Sequence, residues 1–173
     1  MATLSGKNYL PSHPTHDLIN INDISHALSN ICRFAGHVSS FYSVAQHSVL
    51  VARIIEGLGG NPYMQLHGIL HDATEAYLTD IPTPVKRLIT GFDTLEDNFY
   101  RVIAEVYGLE PELPEIVKRA DGIALATEAR DLMGDPKNWR LPHEPCGIIV
   151  IPKPPIDAKT MFLEAFHEIY SKI

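Results

Sequence analysis

The sequence predicts an all-α fold, a single helical bundle, and three observations carry that prediction. Val44, Val51, Ile55 and Leu58 recur at helical spacing, the clearest amphipathic pattern in the chain. Helix punctuation is frequent, with Gly57, Gly59 and Gly60 closing one pattern and Asn61-Pro62 opening the next. Alternation of the β type is scarce, and only the short run Ile148–Ile151 invites an extended reading. A chain of 173 residues fits one domain, residues 1–173, with one sizeable core.

Taken in order, residues 1–20 read as an irregular segment with at most a short strand pair, because Pro11 and Pro14 interrupt it. Asp23 caps a short helix, ISHALSNI, that ends near Arg33–Gly36. Ser43 to Leu58 forms the next helix. A third starts at Asn61-Pro62 and continues through Leu78, where Pro82 and Pro84 force a loop. Helical patterns resume at Phe92–Tyr107, Pro114–Met133 and Asp157–Ser171. Between the last two lies a Pro-rich loop, DPKNWRLPHEPCGIIVIPKPP, in which Ile148–Ile151 is a strand or a buried extended segment.

Composition narrows the functional classes. A net charge of −7 supplies no global basic field, so a nucleic-acid polymer is not an expected partner. Cys32 and Cys146 are too few for a disulfide framework and suit a reducing cytosol. The start, MATLSGKNYLPSHPTHD, lacks a signal layout, and no uncharged apolar run approaches membrane-spanning length. These features predict a cytoplasmic protein (host cytoplasm if a phage encodes it) without a membrane partner.

Ionisable residues crowd one stretch, HDATEAYLTDIPTPVK, from His71 to Lys86. On a helix, positions four apart share a face, so His67, His71 and Glu75 form one stripe with Asp72 beside it. His47 lies on the inward stripe of Val44, Val51 and Ile55. Asp121 falls on the face made by Val117, Ala124, Leu125 and Leu132. A buried lone carboxylate costs several kcal/mol unless it is paired or bound to a cation. Each of these residues alone has an ordinary structural explanation. Three helices that each turn a metal-ligand type inward point instead to one shared cation, Zn, Co, Mn or Mg. Of the remaining histidines, His13, His16, His143 and His167 read as incidental, His37 as a group at a pocket mouth, and His67 as a core histidine or a supporting hydrogen-bond partner.

His47, then His71-Asp72, then Asp121 on successive helices resembles the H…HD…D signature of HD-domain metal-dependent phosphohydrolases. The resemblance is closest to the YfbR-like 5′-deoxynucleotidases and to small phage and bacterial members, dATP triphosphohydrolases included. It spans roughly residues 20–133, through DISHALSNICRFAGH, FYSVAQHSVLVA, HDATEAYLTDIPTPVK and RADGIALATEARDL. It implies an HD-type helical bundle and one divalent ion held by His47, His71, Asp72 and Asp121. It further implies that Glu75 and Asp80 serve the hydrolysis, while Arg33, Phe34 and Lys86 contact a deoxynucleotide. Where close relatives carry Trp, this chain has Phe34. The RFAGH…YSVAQHS context tilts the substrate toward a dNTP, dATP in particular, cleaved to deoxynucleoside and triphosphate. The alternatives are a 5′-deoxynucleotidase, a cyclic-nucleotide or alarmone hydrolase, and an inactive HD nucleotide sensor. Related proteins are homo-oligomers, so a dimer or hexamer is expected, with Phe92–Tyr107 and the Asp135–Pro155 arm as candidate contacts.

Overall fold

A computed structural model describes residues 1–134 and 139–173. Asp135–Asn138, the start of the Pro-rich loop and of the proposed subunit arm, lie outside the described residues. The fold is all-α: α1 Ile21–Asn30, α2 Val44–Gly57, α3 Pro62–Leu70, α4 Glu75–Leu78, α5 Thr83–Lys86, α6 Phe92–Tyr107, α7 Glu115–Leu132 and α8 Pro155–Tyr170. Among the described residues there are only two isolated β-bridges, Ala2 with Asn8 and Cys32 with Ser43. No helix there is long and apolar enough to cross a membrane.

Helix α2 is the axis of the bundle and packs against α1, α3, α7 and α8. Its start is fixed by Ser43, whose hydroxyl accepts from the Gln46 amide, and α3 starts in the same way with Asn61 accepting from Met64. One side of α2 contributes Val49 and Ala52 to the main core, which joins Leu28, Leu66, Ile69, Phe99, Ile103 and Phe162. The other side, with Val51 and Ile55, meets Val117, Ala120 and Ala124 of α7. Gly68 brings α3 close to α2: a Cβ there would stand 2.3 Å from Ile55 Cδ1. This close approach carries the segment after α3 toward the α2–α7 seam.

The structure corrects four expectations. Helix α3 stops at Leu70 rather than continuing through Leu78; residues 71–74 tighten into i→i+3 turns, with the amides of Ala73 and Glu75 donating to the carbonyls of Leu70 and Asp72. Asn20, not Asp23, caps α1. Asp23 is buried in the first turn and accepts from the Ser5 amide and hydroxyl at 2.9 and 2.6 Å, fastening the N-terminal segment to α1. The Pro82–Pro84 loop contains the single-turn α5, because a proline in a first helical turn loses no helical hydrogen bond. Finally, Ile148–Ile151 belongs to no strand and is not buried, since Ile149 and Ile151 are 66% and 63% exposed.

Candidate metal centre and its cleft

His47 is one turn into α2 and has no solvent exposure. Its Nδ1 lies 2.7 Å from Glu128 Oε1 on α7. Its Nε2 faces Asp121 Oδ1 at 3.1 Å, Asp72 Oδ2 at 3.5 Å and His71 Nε2 at 3.4 Å. His71 mirrors this arrangement from the turn after α3. Its Nδ1 donates to the Gly68 carbonyl at 2.8 Å, and its Nε2 faces Asp72 Oδ1 at 3.2 Å and Asp121 Oδ1 at 3.9 Å. Both imidazoles therefore spend the outer nitrogen on an acceptor, which leaves the Nε2 lone pairs pointing at each other and at two carboxylates.

That donor set fits a divalent cation. Metal–ligand bonds of about 2.1 Å place neighbouring ligand atoms about 3.0–3.4 Å apart in octahedral or tetrahedral geometry. The distances between the two Nε2 atoms and the facing oxygens run from 3.1 to 3.9 Å. The tightest three-residue grouping is His47, His71 and Asp121, with one ligand atom of each within 4.8 Å of the others. Asp72 adds one oxygen toward each histidine. Burial and Arg33 lower the His47 pKa, but Glu128 and the hydrogen bonds to Asp121 and Glu128 push it up to about 10. Without a cation, a proton meets the demand of these carboxylates for positive charge. Asp121 is displaced downward, its burial outweighed by the His47 hydrogen bond and charge. Its side chain is 45% exposed, so it stands at the rim of the buried face rather than within it.

Glu128 is the residue that sequence reasoning missed. It is fully buried, binds His47 through Oε1, and accepts from Arg33 Nε at 3.1 Å through Oε2. Burial alone would raise its pKa, yet Arg33 and His47 hold the carboxylate ionised. The available signal was its position seven residues after Asp121, on the same face of α7.

The other expected residues surround the cluster. Arg33 is 12% exposed and reaches Asp72 Oδ2 at 3.7 Å, so it bridges Glu128 and a metal-ligand candidate. Its guanidinium lies 5.2 Å from the centre of the Phe34 ring. Phe34 and Ala35 both have left-handed backbones, at φ 56 and 50. Glu75 is buried, and burial, Asp72 and Asp80 together push its pKa well above the usual carboxylate range, against the opposing pull of Arg33 and Lys86. Asp80 is raised by burial against the opposing pull of Arg33. The residue before it, Thr79, has φ 73 and ψ 156, a region reserved almost entirely for glycine. Lys86 is half-buried and paired with Glu96 at 2.6 Å.

Arg33, Phe34, His71, Asp72, Glu75, Asp80, Lys86 and Asp121 line one cleft of about 1270 Å³, while His47 and Glu128 are wholly enclosed behind it. His37 is at its exposed mouth as expected, and Lys118 and Arg140 add two further cations. His67 stays outside the cluster: it is a core histidine whose Nδ1 lies 3.1 Å from the Tyr100 hydroxyl. His143 has a packing role, its ring lying on Gly122, where a Cβ would come within 2.2 Å of it.

No protein-family model matches the chain. It is 45% identical over 171 residues to the uncharacterized protein YfdR of Escherichia coli K12, covering 96% of this chain and 93% of that protein. It is 37% identical over 142 residues to the uncharacterized protein RCAP_rcc00048 of Rhodobacter capsulatus, covering 76% and 71% respectively. At that identity and coverage, the chain belongs to the family of YfdR and RCAP_rcc00048.

Proposed function

We infer that the protein is a metal-dependent phosphohydrolase of deoxynucleotides, with a dNTP of the dATP type as substrate and deoxynucleoside plus triphosphate as products. The observation that carries this reading is the convergence of two Nε2 atoms with Asp72 and Asp121 oxygens beside two carboxyls of raised pKa, in a cleft that also holds cations. A divalent ion held there supplies positive charge that draws electron density from a phosphoryl group and makes water more acidic. Arg33 is placed to orient phosphate oxygens through its planar fork of donors. On this reading Glu75, with its raised pKa, gives a proton to the leaving sugar oxygen as the phosphorus–oxygen ester bond breaks, and Asp80 orients the attacking water.

The triphosphate reading draws on the cleft volume and on Lys118 and Arg140, which line the same cleft as Arg33 and Lys86. A more highly charged anion needs those extra cations. The second reading, a 5′-deoxynucleotidase, draws on the pairing of Arg33 with Glu128 and of Lys86 with Glu96, which leaves less free positive charge. Both break the same ester bond and differ in how many phosphates leave. Purified protein, loaded in turn with Mn, Co, Zn or Mg, is incubated with every dNMP and dNTP while orthophosphate and triphosphate are resolved. Triphosphate from dATP supports the first reading and orthophosphate from dNMPs the second. Protein that is inert on every dNMP and dNTP with all four metals overturns the deoxynucleotide-hydrolase reading.

A further inference from the structure

Trp139 is the sole tryptophan of the chain, and it lines the mouth of the cleft with 45% of its surface exposed. Across from it stands Phe34, the two ring centres 6.1 Å apart and their planes inclined by 43°. Both rings project from segments whose backbone the fold constrains. Phe34 begins a left-handed run that non-glycine residues rarely adopt, and such outliers concentrate at ligand sites. Trp139 belongs to a strap fastened along α7, the helix that carries Asp121. His143 sits on Gly122, Arg130 donates to the carbonyls of Cys146 and Ile148 at 2.7 and 2.6 Å, and Asp131 accepts from the Val150 amide at 2.8 Å. Arg33 links this aromatic end of the cleft to the metal cluster, touching the Phe34 ring on one side and Asp72 on the other.

We propose that Trp139 and Phe34 form an aromatic clamp for the planar base of a nucleotide whose phosphate reaches the His47–His71–Asp72–Asp121 cluster. The clamp rests on the phosphohydrolase reading for the position of the phosphate. Stacked rings sit about 4.5–7 Å apart centre to centre. The present wedge is therefore too narrow for a full sandwich, and the half-exposed indole swings out to cover a base laid on Phe34. Stacking tolerates every base, because each has a π-face, and favours the larger purines. The clamp thus separates nucleotides from base-free phosphate esters, and Trp139 supplies the second aromatic wall opposite Phe34.

Because Trp139 is the only tryptophan, its emission reports this site alone. The probe is the methylene phosphonate of deoxyadenosine monophosphate, in which carbon replaces the ester oxygen that hydrolysis would release; inorganic phosphate is the base-free control. With metal-loaded protein, the phosphonate is expected to change Trp139 emission and phosphate to leave it unmoved. Trp139→Ala should weaken calorimetric affinity for the phosphonate about tenfold without altering that for phosphate, and Trp139→Phe should recover most of the loss. Binding with unmoved emission and equal affinity in Trp139→Ala overturns the clamp and leaves the hydrolase reading standing. No binding of the phosphonate overturns it as well. A Trp139-dependent response in protein that hydrolyses no nucleotide upholds the clamp and removes the hydrolase reading instead.

Discussion

His47 and His67 are both wholly buried, on the adjacent helices α2 and α3, yet their surroundings shift their pKa values in opposite directions. His47 is gripped by the Glu128 carboxylate on one nitrogen and faces two more carboxylates with the other, and its pKa rises. His67 touches the Tyr100 hydroxyl and the edge of Tyr63, and burial lowers its pKa. Its Nε2 has no hydrogen-bond partner among the described residues. Burial penalises the imidazolium equally in kind at both sites, so the buried carboxylates make the difference. A histidine becomes a cation-site ligand where carboxylates surround it, and stays core where only neutral groups do.

The largest effect expected from breaking this contrast lies at Asp72. Asp72→Ala removes one oxygen from each histidine's field and exposes little new core. Bound metal should fall below stoichiometry, and the nucleotide hydrolysis proposed above should drop by about 10³-fold or more. Elemental analysis of the purified variant, beside wild type and His67→Gln, provides the check. Loss of metal in His67→Gln with retention in Asp72→Ala would invert the comparison.

Glu128→Ala comes next, because it gives His47 a setting closer to that of His67. It leaves His47 and Arg33 without their shared buried anion, a loss of about 3–5 kcal/mol in stability by urea denaturation. Glu128→Gln keeps the shape and an acceptor for Nδ1–H. It should fold with a smaller loss and weaken metal affinity about 10–100-fold, as read by competition with a chelator. Unchanged affinity in the glutamine variant would reduce Glu128 to a packing partner of Arg33.

How much of this was legible in the sequence follows the same division. Helices α2, α6, α7 and α8 could be read from periodicity and punctuation, because Ser43, Gly57 and Asn61-Pro62 act locally on the backbone. The convergence of His47, His71, Asp72 and Asp121 was legible because polar residues on apolar stripes need partners. Glu128 was not, because TEARD reads as a solvated helical face until Arg33 and His47 arrive from elements 95 and 81 residues away. The break after Leu70 was hidden too, since HDAT contains neither glycine nor proline to announce it. Trp139 could not be assigned because its meaning depends on a strap tied to α7 by side-chain clamps rather than by a strand ladder.

Backbone strain divides the molecule along the same line. The three non-glycine residues of positive φ among those described are Phe34 and Ala35, which line the cleft, and Thr79, which precedes Asp80. Thr79→Gly should release about 1–3 kcal/mol of strain and give back about 0.5–1 kcal/mol in chain entropy. The variant should therefore be about 1 kcal/mol more stable, while a less firmly aimed Asp80 lowers kcat several-fold with KM little changed. A stabilised variant of undiminished kcat would show that the strain at Thr79 has no part in positioning Asp80.

The smallest effect sits at His67 and sharpens its half of the contrast. The fold favours the neutral ring, so the contribution of His67 to stability is complete above the ordinary imidazole pKa of about 6.5. As pH falls from there toward the lowered folded pKa, the unfolded chain takes up a proton that the folded chain refuses. Stability is lost over that interval at no more than about 1.4 kcal/mol per pH unit. His67→Gln keeps a hydrogen-bond partner for the Tyr100 hydroxyl and removes the titrating ring. Urea midpoints between pH 7.5 and 5.5 should therefore decline less steeply in the variant than in wild type, with metal content equal in both. Parallel declines would mean that His67 takes up its proton as readily in the fold as in the unfolded chain, and the neutral surroundings of its ring would no longer account for the difference from His47.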